Sequence, residues 1–263
     1  MTVAELLLTN ALVLAASFFL LWLFILKVRD PSVVDSFWAI GMVIMAISSF
    51  LLTDGDPQRK LLLTALCALW GLRLGGYLFW RWRSHGADRR YVNMMAKAKA
   101  QRGWDFPKAS GLLVCAVQAP LLLFVCLPVQ LGQVDATPPL GALAVIGTIV
   151  ALIGISFESI GDWQLTRFKA NPANAGKLMS SGLWRYTRHP NYFGDAATWW
   201  GIFLIAAETS TGLWALPAPA LLTWMLMKWS GVPTVEHRMG KTKPGYADYV
   251  RRTSGFVPWF PKA

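Results

Sequence analysis

Seven stretches of the chain are almost continuously apolar, and each is long enough to cross a bilayer. A transmembrane α-helix needs about 20 mostly apolar residues, because the hydrocarbon core is about 30 Å thick and each residue adds about 1.5 Å. The pattern therefore predicts an all-α, polytopic membrane protein with seven transmembrane helices in a single domain, 1–263. The stretches cover residues 6–26, 33–53, 61–80, 110–131, 139–165, 193–209 and 212–230.

The basic residues are distributed unevenly between the two ends of these spans. Apart from Arg59, Lys60 and Arg73, every Lys and Arg of the chain follows span one, three, five or seven. Positively charged loops stay on the cytoplasmic side of a membrane, so this distribution predicts an N-terminus outside and a C-terminus in the cytoplasm. The expected location is a bacterial inner membrane, crossed several times.

Composition supports the membrane interpretation and changes the meaning of the charge. The 263 residues are 55% hydrophobic and 15% charged, which is too apolar for an ordinary soluble domain. The net charge of +11 is divided among the loops between apolar runs, so it indicates membrane topology and an anionic ligand rather than nucleic acid. Cys67, Cys115 and Cys126 lie inside apolar runs without metal-motif spacing, and we expect them to serve packing.

The basic segment 81–108 contains a predicted helix of its own. Tyr91, Met94, Met95 and Ala98 recur at helical spacing, with Lys and Arg elsewhere around the helix. Such a helix suits the membrane interface, where it either anchors the surface or covers a site as a lid.

Polar residues in spans two and three form a first candidate site. Arg73 and Tyr77 are four residues apart and share a helix face, and Asp35 in span two is expected at the same end of the membrane. One interpretation is structural: Asp35 caps its helix or pairs with Arg73 to lock two helices. The functional interpretation is a carboxyl and a phenol that donate hydrogen bonds to a substrate oxygen.

Near the end of span five, Glu158 and Asp162 are four residues apart, with Arg167 and Lys169 following. These groups fit either an ion-pair lattice or a site for ribose hydroxyls and phosphates. No histidine is placed to complete a metal site, so a metal is not expected.

The run 182–195 places two arginines, a histidine, a tyrosine and an asparagine around Pro190, at the mouth of span six. It reads either as a basic juxtamembrane loop or as part of a dinucleotide site, with arginines at phosphates and aromatic rings at bases. The basic, tyrosine-rich tail after residue 230 fits a membrane-surface segment or a cover over a phosphate. Because the chain has no GxGxxG after a strand, no Walker loop and no GxSxG, helices and loops would have to hold the ligand.

The run Gly182-Leu183-Trp184-Arg185-Tyr186-Thr187-Arg188-His189-Pro190-Asn191-Tyr192-Phe193-Gly194-Asp195 resembles the C-terminal half of the steroid 5-alpha-reductase family. Asp162, Lys169 and the Glu236-His237-Arg238 segment fit the same pattern. The stretches Asp35-Ser36-Phe37-Trp38 and Gly71-Leu72-Arg73-Leu74-Gly75-Gly76-Tyr77-Leu78 resemble its bacterial relatives.

The resemblance implies a seven-helix membrane enzyme that uses NADPH to reduce the carbon–carbon double bond of a 3-oxo-4-ene steroid or a similar lipophilic enone. Its catalytic positions correspond to Asp35, where the family has Glu, and Tyr77, with Arg73 orienting Asp35 and with Ser36 and Trp38 in the substrate pocket. Helices within 1–131 would enclose the substrate, and 132–263 would bind the cofactor. The predicted cofactor-binding residues combine the positions that match the family with candidates chosen from residue type and spacing. They are Glu158, Asp162, Arg167, Lys169, Arg185, Tyr186, Arg188, His189, Asn191, Asp195, Trp199, Glu236, His237, Arg238, Tyr249, Arg251 and Arg252.

Two alternatives stay open. The Arg-His-Pro-Asn-Tyr-Phe-Gly run also resembles membrane isoprenylcysteine carboxyl methyltransferases, which use S-adenosylmethionine, a cofactor without phosphate. A transporter or sensor would instead spread polar residues through the middle of the spans, whereas here they gather at one end. The expected partners are the lipid bilayer and one lipophilic small molecule, with the protein acting as a monomer.

Overall fold

The chain folds into helices joined by turns and loops. A computed structural model describes residues 1–229 and 231–262. Among these residues there is no β-strand, although Thr187 and Ser254 form an isolated parallel bridge, so the predicted all-α class is confirmed. The α-helices are α1 (Val3–Val28), α2 (Val34–Leu52), α3 (Pro57–His85), α4 (Arg89–Arg102), α5 (Phe106–Ser110), α6 (Ala116–Val125), α7 (Leu127–Leu131), α8 (Ala142–Ala170), α9 (Pro190–Ala206), α10 (Ser210–Leu213), α11 (Pro217–Trp224), α12 (Val232–Thr242) and α13 (Tyr246–Arg252).

Five helical stretches of the described residues are long and apolar enough to cross a membrane. Each overlaps one of the first five predicted spans, which supports a membrane protein. The predicted span 193–209 falls largely on α9, which has 17 residues. The span 212–230 falls on the short helices α10 and α11 and the π-helix Met225–Trp229, and its last residue lies outside the described residues. The count of seven and the orientation stay predictions. The five stretches are Val3–Val28, Pro31–Leu52, Pro57–His85, Phe106–Val125 and Ala142–Ala170.

The helices form two compact units. The first unit contains Met1–Gly141 and Ala206–Ala215, and the second contains Ala142–Ile205 and Leu216–Ala263. The three cysteines all belong to the first unit, where they are buried and unbonded to one another, as their apolar surroundings predict.

In the first unit, α2 and α3 approach each other at two glycines. A Cβ on Gly71 would lie 2.8 Å from the carbonyl oxygen of Ala39, and one on Gly75 would lie 3.1 Å from that of Ser36. Glycine at these positions therefore lets the two backbones touch. Arg73 and Tyr77 each follow one of these glycines by two residues, which is about 200° around a helix. Both therefore lie on the face of α3 that is turned away from α2.

Buried polar groups tie the rest of this unit together. The amide of Asn10, fully buried on α1, donates to Ser49 Oγ on α2 at 2.9 Å and to Gln130 Oε1 on α7 at 3.0 Å. Arg59, also fully buried, donates to the carbonyls of Asp135 and Pro138. These contacts satisfy polar groups that would otherwise destabilise an apolar interior.

In the second unit, α8 and α9 pack antiparallel through glycines spaced seven residues apart on α8. A Cβ on Gly147 would lie 2.5 Å from the carbonyl oxygen of Gly201, and one on Gly154 would lie 2.4 Å from the amide nitrogen of Thr198. A Cβ on Gly161 would lie 3.1 Å from Pro190, the first residue of α9. This close approach brings the start of α9 level with the last turns of α8.

Substitution of Gly154 tests this contact. Because an added Cβ would overlap the backbone of α9, the two helices must separate, and we expect Gly154→Ala to lower the free energy of unfolding by about 1–3 kcal/mol. Thermal unfolding in detergent, followed by circular dichroism, measures the change. The control is Gly76→Ala on α3, where an added Cβ meets nothing within 4 Å and alanine favours the helix. Equal melting temperatures for the two variants would contradict the prediction.

Candidate functional site

Two buried carboxylates lie where α8 and α9 meet. Glu158 is 3% exposed and Asp162 is 6% exposed. They are one helical turn apart, and Gly194 of α9 lies against the backbone of Glu158. Asn191 Nδ2, in the first turn of α9, lies 3.5 Å from Asp162 Oδ1. The structure therefore brings together three residues that were predicted to share one site.

The remaining predicted residues of α9 continue from Asn191. Asp195 follows one turn later and is partly buried, and Trp199 follows one turn after that and is fully buried. Together these helix turns carry one amide, three carboxylates and one indole, which are groups that can hydrogen-bond to hydroxyls. This arrangement suits a polyhydroxylated ligand better than an apolar one.

The loop before α9 is fixed to α8 by two hydrogen bonds. Leu183 N donates to Gln164 Oε1 at 2.9 Å, and the indole Nε1 of Trp184 donates to the carbonyl oxygen of Gly161 at 3.1 Å. The phenol of Tyr249, on α13, donates to the carbonyl oxygen of Trp184 at 2.5 Å. Tyr249, which was predicted to bind a cofactor, therefore has a structural partner within the protein.

One carboxylate oxygen connects this loop to the C-terminal tail. Glu236 Oε1, on α12, accepts from Arg188 Nε at 2.8 Å and from His189 Nε2 at 3.1 Å. Nη1 of Arg188 also donates to the carbonyls of Val250 and Thr253 at 3.2 and 2.7 Å. Much of the hydrogen-bonding capacity of Arg188 is thus used to hold α12 and α13, which sequence reasoning did not anticipate.

His189 is held neutral in this cluster. It is 3% exposed and stacks on Tyr192 with 5.4 Å between ring centroids. Burial lowers its pKa, although Glu236 opposes the shift. Burial raises the pKa of Glu236, but hydrogen bonds from Arg188 and His189, with the charge of Arg188, outweigh it and leave the pKa below its ordinary value. Because an ionised carboxylate only accepts hydrogen bonds, Nε2 of His189 carries the proton.

A cavity of about 370 Å³ lies in the tail. Its charged lining consists of Arg188, Arg251, Arg252 and Lys262, and no carboxylate of residues 1–229 or 231–262 lines it. The other predicted basic residues are exposed. Arg167 lies over the ring of Trp163, Lys169 and Arg185 lie at a helix end and in a short 3-10 helix, and His237 and Arg238 lie on α12. Tyr186 lies at the surface against Phe260.

The first unit gives Asp35 partners that the sequence did not suggest. Asp35 Oδ2 accepts from Arg90 Nη2 at 2.7 Å, and Oδ1 accepts from the phenol of Tyr91 at 2.6 Å. Both contacts come from α4, and the expected pair of Asp35 with Arg73 stays a prediction. The two pairs of residues are 55 and 56 positions apart in sequence, and no local spacing indicates them.

Segment 81–108 contains the predicted helix, α4, with Tyr91 and Ala98 buried. Burial raises the pKa of Tyr91, and the neighbouring Asp35 raises it further. Two predicted pocket residues follow Asp35 on α2. Ser36 Oγ and Trp38 Nε1 are both buried and have no hydrogen-bond partner among the described residues. They are polar groups suited to a ligand oxygen.

The state of His189 makes stability depend on pH. Below about pH 6.5, the unfolded chain takes up a proton that the folded chain resists, so stability falls as the pH is lowered through this range. The lowered pKa of Glu236 adds a second loss below about pH 4.3. We expect His189→Gln to remove the upper part of the decline in melting temperature between pH 7 and pH 5.

The control for this prediction is His85→Gln, because His85 is exposed. Its melting curve should keep the pH dependence of the unmodified protein. An unchanged slope in the His189→Gln variant would show that His189 is not the group responsible.

A scan against protein-family models matches residues 21–253 to the family described as "Protein of unknown function (DUF1295)". No curated protein and no solved structure matches the chain. Since the match covers most of the sequence, the chain belongs to the DUF1295 family.

Proposed function

We propose that this protein is a membrane-embedded, NADPH-dependent reductase of the carbon–carbon double bond of a 3-oxo-4-ene steroid or a similar lipophilic enone. The observation that supports the proposal is that Glu158 and Asp162, two buried carboxylates of α8, lie beside the first turns of α9, which carry Asn191.

The chemistry of these groups fits a dinucleotide. Carboxylates and an amide match ribose hydroxyls, and the cations of the neighbouring loops match phosphates. In this assignment Glu158, Asp162, Asn191 and Asp195 hold the sugar, and Lys169, Arg185 and Tyr186 hold the phosphate and ring portions. When bound, NADPH supplies the hydride that the β carbon of the enone receives.

The protein's own groups act on the carbonyl oxygen, where negative charge develops as the β carbon is reduced. Tyr77 is assigned to donate a hydrogen bond to this oxygen. The α carbon of the resulting enolate then takes a proton from water, which completes the saturated ketone. Asp35 already accepts hydrogen bonds from Arg90 and Tyr91. Its assigned role is therefore to position neighbouring groups and not to donate a hydrogen bond to the substrate. A single oriented donor of this kind contributes about 2.7–4 kcal/mol in other enzymes. The buried Ser36 Oγ and Trp38 Nε1 offer further polar contacts for the substrate.

One observation favours the alternative, an S-adenosylmethionine-dependent membrane methyltransferase. Arg188 is matched by Glu236, and Arg251 is matched by Asp248. Two cations that were assigned to phosphates therefore have carboxylate partners within the protein. A cofactor without phosphate needs fewer free cations, so the two cofactors must be compared directly.

Calorimetry on the detergent-purified protein makes this comparison. We expect NADPH to bind and S-adenosylmethionine not to bind. We also expect Asp162→Asn to weaken the binding of NADPH, because an amide accepts fewer hydrogen bonds than a carboxylate. Oxidation of NADPH in the presence of a panel of enones, including 4-ene-3-ketosteroids, then tests the reaction. Binding of S-adenosylmethionine alone would replace the proposal with the methyltransferase.

Tyr77→Phe tests the carbonyl contact. Because the missing hydroxyl would act mainly in the transition state, we expect turnover to fall about 10²–10³-fold while the dissociation constant for NADPH stays unchanged. Phe79→Leu, an exposed position on the same helix, is the control and should keep both values. Equal losses of turnover and NADPH binding in Tyr77→Phe, or no loss of either, would exclude Tyr77 from this role.

A further inference from the structure

The cavity in the tail carries more positive charge than the carboxylates of the described residues neutralise. Of its four cations, Arg188 is paired with Glu236 and Arg251 with Asp248. Arg252 and Lys262 form no ion pair with a carboxylate of residues 1–229 or 231–262. Two like charges that face one cavity repel each other, and an anion between them would remove that repulsion.

The cavity wall is fixed by backbone contacts. Arg188 N donates to the carbonyl oxygen of Ser254 at 2.9 Å, and Thr187 Oγ1 donates to that of Phe256 at 2.8 Å. Lys262 N donates to the carbonyl oxygen of Arg252 at 2.9 Å, which closes the segment on itself. The backbones of Arg252 and Lys262 are therefore held next to each other by a folded segment, and both side chains are exposed to solvent or to a ligand.

Beside these cations the tail exposes large apolar groups. Trp259 is 69% exposed and Phe260 is 75% exposed, and both line the cavity. Val257, between them and the loop contacts, is 60% exposed. Aromatic rings next to Lys and Arg are typical of segments that lie at the headgroup level of a bilayer, where rings meet the acyl boundary and cations meet phosphate.

We propose that this cavity binds the phosphate group of an anionic phospholipid. Arg252 and Lys262 contact the phosphate, Arg188 and Arg251 line the site with their remaining donors, and Trp259 and Phe260 lie against the acyl boundary. The inference goes beyond the proposed reductase function, and it removes Arg251 and Arg252 from the set of cofactor ligands. The same phosphate chemistry is offered by inorganic phosphate and by NADPH, so the experiment separates the three sources.

The experiment titrates the full-length protein in a neutral detergent and measures the rise in melting temperature. The ligands are phosphatidylglycerol, phosphatidylcholine, inorganic phosphate and NADPH. We expect stabilisation by phosphatidylglycerol well above that by phosphatidylcholine. The double variant Arg252→Gln/Lys262→Gln should weaken the apparent affinity for phosphatidylglycerol by roughly 25-fold, at about fivefold for each cation near an anionic lipid surface.

Two further variants make the test specific. Lys177→Gln/Lys241→Gln removes the same charge at exposed positions outside the cavity, and it should leave the phosphatidylglycerol response intact. Trp259→Ala should weaken the binding of phosphatidylglycerol but leave the binding of inorganic phosphate unchanged, because only the lipid is large enough to reach the ring.

Each outcome of these experiments either supports or overturns the lipid site. Equal responses to the two phospholipids, or an undiminished phosphatidylglycerol response in the cavity double variant, overturns the lipid site. A double variant that loses NADPH binding, with no selective response to phosphatidylglycerol in the unmodified protein, also overturns it and returns the cavity to the cofactor. A double variant that loses the lipid response but keeps its NADPH dissociation constant supports it. Failure of the reductase assay alone leaves this result unaffected, since the lipid readout needs no turnover.

Discussion

The close approach of α8 and α9 determines the candidate site. Glycines at 147 and 154 admit the backbone of α9 at distances that no side chain would allow, and Gly161 lies against Pro190 at the start of that helix. Because the contact recurs every seven residues, it fixes how far one helix can slide along the other. Asn191 is thereby set beside Asp162, and Glu158 is buried against Gly194. The position of the polar groups therefore depends on glycines, which have no functional side chain.

A second constraint is the shared carboxylate oxygen of Glu236. It accepts from both Arg188 and His189, which places α12 beside the loop that enters α9. The same arginine then binds two carbonyls around the end of α13. A single hydrogen-bonded cluster therefore ties a sequence-distant tail to the loop.

The sequence could predict what depends on local periodicity. Hydropathy located the five long apolar helices, and helical spacing predicted α4 with Tyr91 and Ala98 on one face. It could not predict that Asp35 pairs with Arg90, because the two residues are 55 positions apart in sequence and belong to α2 and α4. The contact of α2 with Gly71 and Gly75 likewise becomes visible only once the two helices are packed.

The contacts that the arginines make inside the protein decide how strongly they support an anionic ligand. A count of cations treats Arg59, Arg90 and Arg188 alike, yet Arg59 is fully buried on carbonyl groups, and the other two are held by Asp35 and Glu236. Each such partner removes an argument for a phosphate at that position. The case for an anionic ligand therefore depends on cations without an internal partner, which are fewer than the net charge suggests. Arg252 and Lys262 are two such cations among the described tail residues, and both line the same cavity.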